Sequence, residues 1–147
     1  MATISGGDKL AKRLAEITAR LSNHGTLAVG FLEGATYPNG TPVAMIAAIQ
    51  DFGAPSRGIP PRPFFRNMIA KRSPGWPKAL AAFLKANNYD TQRSLDQMGE
   101  LIADQLQQSI HETNTPPLAP ATIARKGFSK PLIHHADMLN AVDFEVT

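Results

Sequence analysis

Asp51-Phe52-Gly53-Ala54-Pro55-Ser56-Arg57-Gly58-Ile59-Pro60-Pro61-Arg62-Pro63-Phe64-Phe65 joins two apolar segments through a loop built of glycine, proline and arginine. The first segment stops at Gly53, and Pro63-Phe64-Phe65 opens the second. Prolines at 55, 60, 61 and 63 each hold φ at about −65°. They also push the residues before them toward extended geometry. The loop is therefore stiff, carries Arg57 and Arg62, ends in two aromatics, and holds no obvious catalytic group. It has the composition of a contact surface.

Upstream, Thr41-Pro42 predicts a helix start, with Thr41 as N-cap and Pro42 at the first helical position. Val43, Ile46, Ala47 and Gln50 follow at helical spacing, and Gly53 is the stop. This helix is apolar nearly all round, which predicts that it is well buried. Before it, Gly34–Gly40 is a turn-rich loop with Asn39-Gly40 as its strongest turn signal. Thr26–Glu33 is short, apolar and partly β-branched, and reads as a strand. Gly30 within it suggests a bulge or a close neighbour. Near the start, Leu10, Leu14, Ile17 and Leu21 share one face of a helix over about 8–23. Asp8 is its N-cap and Gly25 its end.

Downstream, Pro63 starts a short helix to about Lys71. A second helix spans about Pro77–Ala86, with Leu80, Phe83 and Leu84 inward. The longest runs over about 91–112, capped by Asp90 or Thr91, with Leu95, Met98, Ile102, Leu106 and Ser109/Ile110 as its stripe. One or two helical turns fit Ala119–Arg125, and Gly127–Pro131 is a loop. Leu139–Val146 ends in alternation, with Val142, Phe144 and Val146 on one side and Asp143 and Glu145 on the other. That pattern is a half-buried strand, expected to pair with Thr26–Glu33. The fold class predicted is α+β: a small antiparallel sheet packed against several helices, in a single domain over residues 1–147.

The 147 residues contain no cysteine, which excludes disulfides and thiolate chemistry. Met1–Gly7 lacks the apolar core of a signal peptide, and no apolar run approaches the roughly 18 residues of a membrane span. A soluble chain, cytoplasmic when made and without membrane contact, is expected. The net charge of +3 is unevenly spread. Residues 1–25 carry +2 and residues 26–53 carry −2. Residues 54–93 hold Arg57, Arg62, Arg66, Lys71, Arg72, Lys78, Lys85 and Arg93 against Asp90 alone. Residues 94–147 hold seven acidic and three basic groups. Two copies could meet through such opposite charges. Equally, the charges are solvated faces that interleave in the fold.

Signals for catalysis are missing. Phosphate-cradling loops and the nucleophile elbow are absent. Adjacent His134 and His135 point to different faces, so a metal there would need a further ligand such as Asp137. Asp96, Glu100 and Asp104 form a solvated face of the long helix. The expectation is no enzyme, no cofactor and no metal. Nucleic-acid binding competes, because the basic segment 54–93 also contains Phe64, Phe65, Trp76, Phe83 and Tyr89. Core packing is the alternative use of those aromatics.

Three segments in order resemble one family. Ala44–Phe65 is similar to the signature of tailed-bacteriophage neck and tail-completion proteins, in which an apolar helix ends in Glu/Asp-Phe-Gly and a loop leads to Ile-Pro-x-Arg-Pro-Phe. Pro117–Gly127 resembles a second segment of that family. Lys130-Pro131-Leu132-Ile133 resembles the start of its Lys-Pro-Leu-Ile-Asp-Thr-Gly motif. Here His134-His135-Ala136 replaces Asp-Thr-Gly, and Asp137 is left to cap the next helix. The resemblance implies a virion structural protein, assembled in the host cytoplasm as a sixfold ring where tail meets head. Its partners would be copies of itself and neighbouring neck, tail-tube or head-completion proteins, with DNA passing through the lumen without sequence-specific recognition. A tail-terminator ring capping the tail tube is the close variant. The candidate subunit interface is Arg57, Ile59, Pro60, Arg62, Pro63, Phe64 and Arg66. The candidate charged faces are Lys71 and Arg72 against Asp96, Glu100 and Asp104. The competing reading of the proline loop is an internal connector, with Phe64 and Phe65 in the core.

Overall fold

A computed structural model describes residues 5–23, 25–113, 120–126 and 137–147. The elements run α1 (Gly7–Leu21), β1 (Leu27–Phe31), α2 (Val43–Phe52), α3 (Phe64–Arg72), α4 (Trp76–Ala86), α5 (Thr91–Glu112), α6 (Pro120–Lys126), α7 (Asp137–Asn140) and β2 (Val142–Val146). Short 3₁₀ turns at Pro55–Arg57 and Ser73–Gly75 precede α3 and α4 respectively. The chain is an α+β fold, with a two-stranded antiparallel sheet packed on helices.

The long helix α5 organises the rest: β1, β2, α3 and α4 all pack on it. Asp90 caps it, accepting from the Arg93 N–H at 3.1 Å. Its buried residues Ser94, Met98, Ile102, Leu106 and Ile110 form one stripe at a spacing of four, with Gly99 beside Met98. Leu106 and Ile110 are fully buried, worth about 1.5–3 kcal/mol each by the usual transfer figures. Val43, Ala47, Phe64, Met68, Met138 and Val142 complete this core.

The predicted strand pairing is present. Leu27 faces Val146, Val29 faces Phe144 and Phe31 faces Val142. The ladder is continuous, so Gly30 is no bulge. It is a close approach instead: a Cβ there would touch the Phe65 ring at 3.7 Å. On the other strand, Phe144 lies directly over Gly99, where a Cβ would collide with its ring. Gly99 is thus the gap in α5 that lets β2 sit against it.

Three expectations fail locally. Asp8 is not the cap of α1; Gly6 takes that position with φ of 101°, leaving Asp8 in the first turn, where its charge complements the helix dipole. Thr41 does not cap α2 either. Its carbonyl accepts from Tyr37 N–H and its own N–H donates to Asn39 Oδ1, so it belongs to the turn and Pro42 occupies the cap position. Thirdly, α2 is not well buried. Val43, Ala47 and Asp51 face inward, while Ala44, Met45, Ala48 and Phe52 face solvent.

Candidate functional site

The proline loop folds back on α2 and closes a compact clamp. Gly53 ends α2 with φ of 77°, its N–H donating to the Ile49 carbonyl. A Cβ there would stand 2.8 Å from the Pro61 nitrogen and 3.0 Å from the Ile59 carbonyl oxygen. Glycine is therefore required both by the backbone angle and by the return of the chain. Ala54 and Ile59 exchange backbone hydrogen bonds of 2.9 and 3.1 Å, closing the loop on itself. Arg62 N–H then donates to the Gln50 carbonyl at 2.7 Å, and its guanidinium reaches Gln50 Oε1 at 3.3 Å. Burial pushes the Arg62 guanidinium below its ordinary value.

Asp51 ties the far end. Its carboxylate is buried and accepts from the Phe65 N–H at 2.9 Å and the Arg66 N–H at 3.4 Å, which are free donors of the first turn of α3. Arg66 closes the arrangement: Nε donates to Asp51 Oδ2 at 2.7 Å and Nη2 to the Asp51 carbonyl at 2.6 Å. The same guanidinium lies 4.6 Å from the centre of the Phe52 ring. Asp51 thus caps a helix beginning thirteen residues after it, and Arg66 neutralises the charge.

This geometry redistributes the predicted interface. Arg62 is 4% exposed and Phe64 0%, so both are interior residues and neither offers surface to a neighbour in this conformation. Phe64 stacks edge-on against Phe31 and Phe65, at centroid distances of 6.2 and 6.4 Å. Its carbonyl accepts from Ser109 Oγ at 2.7 Å. The internal-connector reading put Phe64 and Phe65 in the core; Phe64 is fully buried, and Phe65 is half-buried against it. Ile59 and Pro63 are half-buried, Arg57 and Pro60 are exposed, and Arg66 is exposed but committed to Asp51.

The predicted charged faces are not cleanly apart. Lys71 and Arg72 at the end of α3 line one cleft with Gln105, Ser109 and Glu112 of α5. Arg72 also donates to Gln108 Oε1 at 3.2 Å. The basic and acidic segments therefore interleave there. Asp96 is half-buried and accepts from Gln92; Glu100 and Asp104 stand in solvent. The aromatics of the basic segment are largely spent on packing: Phe64 is buried, Phe65 and Phe83 pack on the core, and the Trp76 indole donates to Gln105 Oε1 at 2.9 Å. His134 and His135, Gly127–Pro131, and the motif Lys130–Ile133 lie outside the described residues. Among the described residues no three histidine or acidic side chains are grouped to hold a metal, and no helix is long and apolar enough to cross a membrane.

Part of the exposed surface of α2 and α3 is apolar. On α2, Met45 is 50% exposed and Phe52 65%; Phe52 lines a groove of about 220 Å³ together with Phe31, Ala44, Ala48 and Phe65. Ile69 stands one turn beyond Phe65 on α3 and is also exposed. Sequence reasoning missed this face because it counted α2 as buried. It also missed the Asp51 cap, for which the only hint is an acid at the end of an otherwise apolar helix. Compared with protein-family models, curated proteins and solved structures, the chain finds no match.

Proposed function

We propose that this chain is a structural protein of a tailed-bacteriophage virion, repeated as a ring at the head-to-tail junction around the DNA channel. The reading starts from the three resembling segments. The observation that carries it is the outer face of α2. Ala44, Met45, Ala48 and Phe52 form an exposed apolar row on the very segment that carries the first resemblance. A surface of this kind is characteristic of a protein that spends its working life against another. The clamp supports the reading, since Asp51, Gln50, Arg62 and Arg66 fix α2, the loop and α3 as one rigid piece before any partner arrives. Pre-ordering lowers the entropic cost of each contact. The tail-terminator ring is the same proposal one level along the tail.

The test is cryo-electron microscopy of the virion, with a parallel nonsense mutant. The expected results are density for this chain in a ring at the neck or tail top, and filled heads separated from tails in its absence. Virions that lack the chain, or a mutant that joins heads to tails normally, refute the proposal. Binding to DNA is expected to be weak and indifferent to sequence; tight, steeply salt-dependent retention would favour the nucleic-acid reading.

A further inference from the structure

The helix α1 is the least supported element among those described. None of its residues is buried. Leu10 is 61% exposed and Leu14 54%, with Leu21 on the same face and only Ile17 partly covered. What holds α1 to the body is polar: Arg13 donates to Asn88 Oδ1 at 2.6 Å, Arg20 to the Asn88 carbonyl at 2.9 Å, and Thr91 Oγ1 to the Arg20 carbonyl at 3.2 Å. A 15-residue helix is marginal in water by itself, and helices draw most of their stability from burying an apolar face. Among the described residues, nothing buries its leucine stripe.

The chain also carries the counterpart. The groove between β1, α2 and α3 is apolar and open, and Phe52 lines it, with Met45 exposed two turns earlier on α2. We propose that a second copy of this chain fills it: Leu10, Leu14 and Leu21 of one copy lie along Ala44, Met45, Ala48 and Phe52 of the next. Charge favours that occupant. The flanks of α1 carry Lys9, Lys12, Arg13 and Arg20 against Asp8 and Glu16, with Arg13 paired to Glu16, which leaves a net positive helix, whereas residues 26–53 contain no lysine or arginine and expose Glu33. The one cation lining the groove, Arg66, is already neutralised by Asp51.

The contact joins two different patches of one chain, so it is head-to-tail and propagates until it closes. Its size says how. Six exposed apolar side chains, Leu10, Leu14, Leu21, Met45, Phe52 and Ile69, present about 600 Å² together, at roughly 100 Å² for a half-exposed large side chain. A standard interface buries at least about 1,200 Å². One such contact is therefore weak, and closure, which gives every copy two, is what makes the assembly persist. For that closure the inference rests on the ring proposed above; the contact itself is testable without a virion.

Because the chain has no cysteine, disulfide trapping is clean. Leu14→Cys and Met45→Cys are surface changes, and Glu100→Cys on the solvent side of α5 is the control. Mixed under mild oxidation, L14C and M45C should give a linked dimer. The double variant should give a ladder of linked chains, and L14C with E100C should give neither. Adding Leu10→Asp to the double variant should abolish the ladder while circular dichroism stays unchanged. No product above the control refutes the contact. An internal disulfide in a monomer would mean that α1 folds onto its own groove, and refutes it too. A ladder from a chain that is absent from the virion neck would sustain the contact and sink the functional proposal. A neck ring built without this contact would do the reverse.

Discussion

Removing the Asp51 carboxylate tests whether the clamp rests on helix capping or on the ion pair. Asp51→Ala removes the acceptor of two first-turn N–H groups of α3 and strands Arg66. Loss of a cap costs about 1 kcal/mol. Hydrogen bonds to a charged group are worth about 1.5–3 kcal/mol, and Arg66 is half exposed, which puts its share near the lower end. The total expected is about 3 kcal/mol, or a fall in Tm of about 6–12 °C for a chain of this size. Asp51→Asn keeps one acceptor oxygen but loses the charge, and should cost about 1–2 kcal/mol. Arg66→Ala should cost about 1 kcal/mol, since the carboxylate keeps its two backbone donors. Urea unfolding followed by circular dichroism measures all three, and the Asp51→Ala/Arg66→Ala double variant completes the cycle. The order Asp51→Ala, Asp51→Asn, Arg66→Ala is the prediction. Arg66→Ala costing as much as Asp51→Ala would refute capping as the main role.

Phe64→Ala should cost about 3–5 kcal/mol in the same assay, because the ring is fully buried; a near-neutral result would return Phe64 to the surface. Gly99→Ala should destabilise by about 1 kcal/mol net, an overpacking cost against Phe144 of about 1–3 kcal/mol less the helix propensity gained, and Phe144→Leu should rescue it; a stabilised Gly99→Ala would show that β2 does not lie there. Burial, and secondarily the Asp137 carboxylate, raises the Tyr37 phenol above its usual value. The folded chain then holds a proton that the unfolded chain loses at about pH 10, so stability is full below that pH and falls as pH rises toward the native value. Tyr37→Phe should flatten this alkaline decline in urea titrations, and an unaltered slope would count against it.

Patterns local to one element were legible in the sequence. Val142, Phe144 and Val146 alternate, so β2 and its inward side could be read directly. The α5 stripe through Met98, Ile102, Leu106 and Ile110 was equally plain. What escaped depends on partners. Hydropathy alone gave α2 an apolar circumference without saying that Met45 and Phe52 would stand exposed. Arg66 looked like one more exposed cation, because nothing in the spacing reveals that the loop brings Asp51 to it. Arg62 carried the same ambiguity: an arginine in a loop reads as surface until Gln50 is seen to hold it inside. Of the candidate interface residues, Arg62 and Phe64 therefore lie inside the protein, while Arg57 and Pro60 stay on its surface.

The two strands that pair lie near opposite ends of the sequence, with roughly 110 residues between Phe31 and Val142. Bringing such distant segments together costs about 4 kcal/mol of chain entropy before the first ladder bond forms. The contacts among α3, α4 and α5 are local by comparison. During synthesis the helical platform can assemble while β1 waits, apolar and unpaired, until Val146 has left the ribosome. The sheet can therefore close only once β2 has been made, and Gly99, which leaves the place for Phe144, is the latch on which it closes.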